Sequence, residues 1–140
     1  YIYAAMAVKF EEWRLDGFAH WLKKQAEEER EHADKIVKFL VDCGETPKFD
    51  VIDAPKITYN TALAAFKTAL KQEQYITEKV KALYALAKNE ADYASEVFLQ
   101  WYISEQVSEE AQTTEIVDKL IMANENIAAI FTLDKKYGKR

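Results

Sequence analysis

The sequence predicts an all-α protein: a four-helix bundle with a long crossover between helices two and three, followed by a short C-terminal helix. Of its 140 residues 49% are hydrophobic, whereas only three are glycine and two are proline, and this balance is typical of long helices. Apolar residues recur at helical spacing in four long segments. Both prolines lie in the stretch 45–59, which has little periodicity. A connection of that length can run along a whole bundle.

Each predicted helix is bounded by residues that start or stop helices. The first two predicted helices span residues 1–14 and 18–43. The third runs from a cap near Asn60 to a polar break at 88–90, the fourth spans 91–122, and a short fifth lies around 127–133. Asp16 is expected to cap the second helix, and Gly44 to end it. Asn124 is expected to cap the fifth.

Length, charge and cysteine content limit the possible classes of protein. A chain of 140 residues fits a single domain, residues 1–140. The formal net charge of −5 argues against a nucleic-acid partner. No apolar run reaches the roughly 20 residues that span a bilayer, so no membrane partner is expected. The single cysteine, Cys43, cannot form an internal disulfide, which predicts a reducing compartment, the cytoplasm.

Three of the predicted helices place a polar group within an otherwise apolar stripe. The second has Glu29 and His32, three residues apart on one face, the third has Glu73, and the fourth has Gln106 and Glu109. Carboxylates that converge in one core repel each other, and divalent cations remove that repulsion. Oxygen-rich ligands with one imidazole and no thiolate favour iron or manganese over structural zinc.

Each of these residues also has a structural explanation when taken singly. Glu73 could reach solvent along its own stem. His32 could be a hydrogen-bonded core histidine, and Gln106 could bridge two helices by hydrogen bonds. Only their joint occurrence, well inside three long helices, favours a metal site.

Three motifs in order identify a family that the chain resembles. They are Gly17–Trp21 leading to Glu28-Glu29-x-x-His32, then Lys71–Gln74, and then Phe98–Glu110. At these separations they resemble a non-haem bacterial or archaeal-type ferritin over essentially the whole chain. The resemblance implies the ferritin-like fold, storage of iron, and ferroxidase activity with O₂ or peroxide as the oxidant. It also implies self-association into a 24-subunit cage.

The resemblance implies roles for the polar residues at a diiron site. Glu29 bridges two irons and His32 binds the first. Glu73 is the principal carboxylate of the second iron, with Glu109 beside it. Gln106 lies near the second metal and helps to position the oxidant or water.

A third iron site, known in some bacterial ferritins, is matched only in part. Glu28, Glu105 and Glu109 correspond to carboxylates of that site, whereas Ser108 stands where an acid is expected. The resemblance therefore implies a weakened third site.

The start of the chain affects the expected first iron site. Tyr3 resembles the tyrosine beside the diiron site, which is an electron donor. Trp101 occupies the family's matching tryptophan position, although core packing is at least as good an explanation for Trp101. The family's remaining first-site glutamate lies about two turns before Tyr3. Because Tyr1 reads like the middle of a helix, we expect upstream residues. Without that glutamate, ferroxidase activity should be weak or absent.

Related classes differ from this chain in the fourth helix. Bacterioferritins and rubrerythrins carry a second Glu-x-x-His there, whereas this chain has Gln106-x-x-Glu109. No haem is expected, since neither Met6 nor Met122 can be assigned as a ligand. Three alternatives remain open: a diiron oxidoreductase or peroxidase without storage, a truncated ferritin acting as an assembly module, and a bundle whose buried acids are only structural.

Overall fold

A computed structural model describes residues 1–139 and contains five α-helices within that range. The helices are α1 Ile2–Glu12, α2 Asp16–Asp42, α3 Ala62–Asn89, α4 Tyr93–Ala123 and α5 Ile127–Tyr137. The all-α prediction is therefore confirmed, and the nonhelical stretch between α2 and α3 coincides with the predicted crossover. The helices belong to two compact units, one formed by Tyr1–Thr58 with the chain from Asn126 onward, and one formed by Tyr59–Glu125. The assignment of 1–140 to one domain stays a prediction.

The first unit is an α1–α2 hairpin with α5 packed on α2. Its core is made of large side chains that exclude water completely: Met6 and Phe10 from α1, and Phe18 and Leu22 from α2. Burying a side chain of this size contributes about 1.5–3 kcal/mol. The core therefore fixes α1 along the N-terminal half of α2.

The second unit is the α3–α4 hairpin. On α4 every inward position over six turns is buried, and these positions are Leu99, Tyr102, Gln106, Glu109, Thr113, Ile116 and Leu120. Their spacing of three and four residues is that of one helix face. Two polar residues of this face, Gln106 and Glu109, are thus carried into the interior by the same periodicity that buries the leucines.

The helix ends correct two of the predicted caps and shift a third. Asp16 is the first residue of α2 rather than its cap, because the cap position is occupied by Leu15, which has no side-chain oxygen. Asn126, not Asn124, caps α5 by accepting a hydrogen bond from the backbone N–H of Ala129 at 3.0 Å. Asn124 instead ends α4 in the left-handed conformation, with φ 46°. Thr61, one residue after the predicted Asn60, caps α3.

The C-terminus of α2 has the predicted glycine. Gly44 follows the helix with φ 85°, a left-handed conformation that side chains other than glycine's adopt at a cost. The prediction that Gly44 ends α2 is confirmed.

We expect Thr61→Ala to destabilise the N-terminal turn of α3 by about 1 kcal/mol. The Thr61 hydroxyl accepts a hydrogen bond from the N–H of Ala64 at 3.1 Å, and alanine leaves that donor without its cap. Hydrogen exchange at the Ala64 amide and denaturant unfolding measure the effect. Thr61→Ser keeps the hydroxyl and should exchange like the parent; equal exchange in the alanine variant would refute the capping role.

Candidate metal centre

The first unit holds Glu29 and His32 one turn apart on α2. The Nδ1 atom of His32 lies 3.7 Å from Oε2 of Glu29, and both side chains are partly exposed. The other carboxylate oxygen, Oε1, accepts a hydrogen bond of 3.2 Å from Nε2 of Gln25. The predicted pair is therefore brought together, and a hydrogen bond from the preceding turn orients its carboxylate.

Gln25 was not among the residues predicted from the sequence. It is completely buried and lies four residues before Glu29, on the same face of α2. A glutamine is compatible with many environments, so its presence alone gave no signal. The useful signal was its position one turn from a candidate ligand, because amide-to-carboxylate pairs at this spacing bond to each other.

Tyr3 lies on α1 and is buried against α2. Its ring meets that of Trp21 edge-on, with 6.5 Å between the ring centroids and 72° between the planes. Trp21, Gln25 and Glu29 follow one another at four-residue spacing along α2. Tyr3 is thus placed beside the row that leads to Glu29, and its role as an electron donor stays a prediction.

The second unit brings Glu73 and Gln106 into direct contact. Nε2 of Gln106 donates to the backbone carbonyl of Glu73 and to its Oε2, both at 3.2 Å. It also contacts Oγ1 of Thr77 at 3.3 Å. Glu73, Gln106 and Glu109 have only 2%, 4% and 1% of their surface exposed.

Buried carboxylates need compensation. Removing a carboxylate from water costs several kcal/mol unless hydrogen bonds or a cation offset the loss. Glu73 and Glu109 are more deeply buried than is usual for glutamate. Carboxylates with an amide, as on the α3–α4 hairpin, suit iron as a substrate, and so does a carboxylate with an imidazole, as on α2.

The residues matched to a third iron site differ in their exposure. Glu28 and Glu105 are partly exposed, whereas Ser108 lies at the surface and its hydroxyl accepts a hydrogen bond from Nε2 of Gln112 at 3.1 Å. The weakened third site stays a prediction.

Trp101 is not a core residue. It is 38% exposed, and its ring meets that of Tyr102 edge-on, with 4.8 Å between centroids. Core packing is therefore the wrong explanation for this tryptophan.

We expect Tyr102 to make stability decline in alkali. Burial raises the pKa of its phenol to about 12 from the ordinary value of 10.0. The folded protein thus holds this proton more tightly than the unfolded chain. The contribution of Tyr102 to the free energy of unfolding is therefore constant below pH 10 and is lost between pH 10 and 12. Two pKa units correspond to about 2.7 kcal/mol as an upper bound. Denaturant unfolding across this range should show a smaller decline in Tyr102→Phe; identical declines would contradict the raised pKa.

Between residues 1 and 139, no helix combines the length and the apolar character needed to cross a bilayer.

Comparisons with known proteins agree across almost the entire chain. The ferritin-like domain family matches residues 1–123. A bacterial non-heme ferritin of Staphylococcus epidermidis is 37% identical over 138 residues, which cover 99% of this chain and 83% of that protein. A bacterial non-heme ferritin of Staphylococcus aureus is 36% identical with the same coverage.

Solved structures give the same likeness. An open pore ferritin from the hyperthermophilic archaeon Archaeoglobus fulgidus superimposes with a TM-score of 0.98 at 36% identity, covering 100% of this chain and 86% of that one. An engineered closed form of the Archaeoglobus fulgidus ferritin also gives a TM-score of 0.98, at 37% identity. This likeness confirms the predicted four-helix bundle with its crossover and short C-terminal helix.

Proposed function

Because this chain belongs to the ferritin-like domain family, we propose that it oxidises Fe²⁺ at a diiron site and stores the Fe³⁺ as mineral inside a cage. Iron storage with ferroxidase activity is the function that the family and the non-heme ferritin relatives support. The observation that carries the proposal for this chain is the pair of deeply buried acids, Glu73 and Glu109, on one helical hairpin. Buried carboxylates destabilise a protein core unless a nearby cation compensates their charge.

The roles proposed for the iron-binding residues are those that the ferritin resemblance implies. Glu29 bridges the two irons, and His32 binds the first. Glu73 binds the second iron, with Glu109 beside it, and Gln106 positions the oxidant or water. Oriented ligands of this kind hold both metals with open positions for the oxidant.

The electron count follows from the chemistry of the substrates. Two Fe²⁺ ions each give up one electron, and O₂ takes both with two protons to form H₂O₂. With peroxide as the oxidant, the same two electrons and two further protons yield water. Tyr3, buried beside Trp21, is the proposed donor of an additional electron.

Two further parts of the proposal concern storage and location. Glu28, Glu105 and Glu109 are proposed to contribute to a third iron site, weakened because Ser108 stands where an acid is expected. The chain is proposed to assemble as 24 copies into a closed shell in the cytoplasm. The acidic net charge of −5 favours attraction of cations toward such a shell.

Oxidation of Fe²⁺ in air tests the proposed activity. Anaerobic Fe²⁺ is added at two ions per chain, air is admitted, and the near-ultraviolet absorbance of Fe³⁺ is followed. We expect oxidation much faster than in buffer alone. A rate equal to buffer would leave only a structural role for the buried acids.

Particle size separates storage from diiron catalysis alone. Light scattering on the native protein should report a large shell, and iron loading beyond two ions per chain should continue. A monomer or dimer that still oxidises iron would instead identify a diiron oxidoreductase without storage.

A further inference from the structure

A side-chain pair next to Gln106 on the α3–α4 hairpin has no role in the proposed function. Oγ1 of Thr77 donates a hydrogen bond of 2.5 Å to Oε1 of Glu110, connecting α3 to α4. The same Thr77 oxygen lies 3.3 Å from Nε2 of Gln106. A continuous row of hydrogen bonds therefore links Glu110, through Thr77 and Gln106, to the buried Glu73.

The direction of each bond in this row follows from the groups involved. The Glu110 carboxylate can only accept, so the single hydroxyl proton of Thr77 must point toward it. Thr77 then offers only lone pairs to Gln106. The partners of Gln106 at Glu73 are a carbonyl and a carboxylate oxygen, which also only accept. The nitrogen end of the Gln106 amide must therefore face all three oxygens.

This fixed direction decides which end of the amide is presented to iron. A flipped amide would place Oε1 against the carboxylate and carbonyl of Glu73, where oxygen repels oxygen. It would also require the Thr77 proton, which Glu110 holds. With Nε2 committed to Glu73 and Thr77, Oε1 is the end left to coordinate a cation or its bound water, as hard cations require.

We propose that Thr77 and Glu110 are positioning residues that lock the Gln106 amide with its nitrogen toward Glu73 and its oxygen toward the second iron. The inference rests on the proposed function, because it assigns Gln106 to a metal site. It concerns only residues of the α3–α4 hairpin.

The surroundings of the pair make substitution practicable. Thr77, Gln106 and Glu110 line an open cavity of about 310 Å³, together with apolar side chains such as Val80 and Ile103. Thr77 and Glu110 are only partly buried. Removing a hydroxyl there leaves the tightly packed core of the hairpin unchanged, so an effect on metal binding is not expected to reflect unfolding.

The test uses Thr77→Val, which keeps the shape and loses the hydroxyl, with Thr77→Ser as the rescue variant. Calorimetric titration with Co²⁺ under anaerobic conditions measures metal binding at two sites per chain. Co²⁺ is used in place of Fe²⁺ because it is not readily oxidised. We expect Co²⁺ at the site of Glu73 and Gln106 to lose about tenfold in affinity in Thr77→Val, the lower end of the effect of removing groups that orient ligands. Thr77→Ser should bind like the parent.

A second variant and a double substitution separate positioning from packing. Glu110→Ala removes the acceptor of the Thr77 proton, which can then turn toward Gln106, and should weaken the same site. In a Gln106→Leu background, Thr77→Val should cause no further loss, because the amide it positions is gone. Parent affinity in Thr77→Val, or an equal loss with and without Gln106, would overturn the proposal.

Failure of the proposed function would be recognised separately. If the parent binds no Co²⁺ and oxidises no Fe²⁺, the diiron proposal is wrong whatever the variants do. Crystal structures of metal-free parent and Thr77→Val then decide the positioning role. A Gln106 amide that keeps its contact with Glu73 in both would refute it, whereas one that departs only in the variant would support it.

Discussion

Replacing Glu29 by alanine is expected to lower the initial rate of Fe²⁺ oxidation at least 100-fold. In the proposed site this carboxylate bridges the two irons, so its loss affects both. Groups that only orient metal ligands already cost 10–100-fold when removed, and a bridging ligand should cost more. The measurement is the near-ultraviolet absorbance of Fe³⁺ after air is admitted to protein loaded with two Fe²⁺ per chain.

The fold should survive this substitution. Glu29 is partly exposed, and its truncation creates no large cavity, although Gln25 loses the acceptor of its 3.2 Å hydrogen bond. Leaving a buried amide without that partner costs about 1–3 kcal/mol. Circular dichroism and the unfolding midpoint should therefore change modestly while oxidation stops.

Two variants on the same helix complete the experiment. Glu31→Ala removes an exposed acid two residues away and should oxidise iron at the parent rate. Glu29→Gln keeps the size of the side chain but offers only one oxygen, so it cannot bridge two cations and should fail like the alanine variant. Parent-like oxidation in both Glu29 variants would show that the bridge has been assigned to the wrong residue.

Local sequence patterns were sufficient to predict which helix faces carry the candidate site. The spacing of Leu99, Gln106, Glu109 and Ile116 specifies one face of α4, so burial of the leucine and isoleucine forces burial of the two polar residues between them. Glu29 and His32 meet for the same reason, being three residues apart on α2. Periodicity therefore predicted the burial of Gln106 and Glu109 and the proximity of Glu29 to His32 without any knowledge of tertiary contacts.

The contacts that orient these residues depend on partners that periodicity does not reveal. Thr77 and Glu110 are 33 residues apart, and nothing local to either residue specifies the other. These orienting groups depend on how two helices are rotated against each other, a quantity that a single sequence determines only through the whole packed core.

The start of α2 is the clearest case of a long-range determinant. The predicted cap, Asp16, lies inside the helix, and the missing acceptor is supplied from α5. Oδ1 of Asp134 accepts a hydrogen bond of 2.8 Å from the backbone N–H of Phe18, 116 residues away. A carboxylate at a helix N-terminus also interacts favourably with the helix dipole. Asp134 therefore performs the capping that the local sequence of α2 does not.

Gly17 is the residue that allows this arrangement, and Gly17→Ala is expected to displace α5 from α2. A Cβ atom at position 17 would lie 1.8 Å from the backbone carbonyl oxygen of Asp134 and 2.6 Å from its carbon. Because these are backbone atoms, rotation of a side chain cannot relieve the overlap. The whole of α5 has to move, which breaks the Asp134–Phe18 hydrogen bond and the stacking of Phe18 on Tyr137, whose ring centroids are 5.4 Å apart.

The expected cost is about 2–3 kcal/mol, the upper part of the range for overpacking, since a helix cap is lost as well. Hydrogen exchange on the backbone amides of α5, together with denaturant unfolding, measures it. Gly44→Ala is the matched control, because no atom lies within 4 Å of its added Cβ. That variant should show only the strain of a left-handed alanine, about 1–2 kcal/mol, with α5 still protected.

Iron chemistry distinguishes displacement of α5 from general unfolding in this variant. The match to the ferritin-like domain family ends at residue 123, before α5 begins, and every proposed iron ligand precedes that point. Gly17→Ala protein should therefore lose protection in α5 but still oxidise Fe²⁺ when α1–α4 remain folded. If α5 keeps parent-like protection in Gly17→Ala, the close contact of Gly17 with Asp134 does not hold this helix in place. Loss of oxidation with folded α1–α4 would instead show that α5 contributes to the iron site.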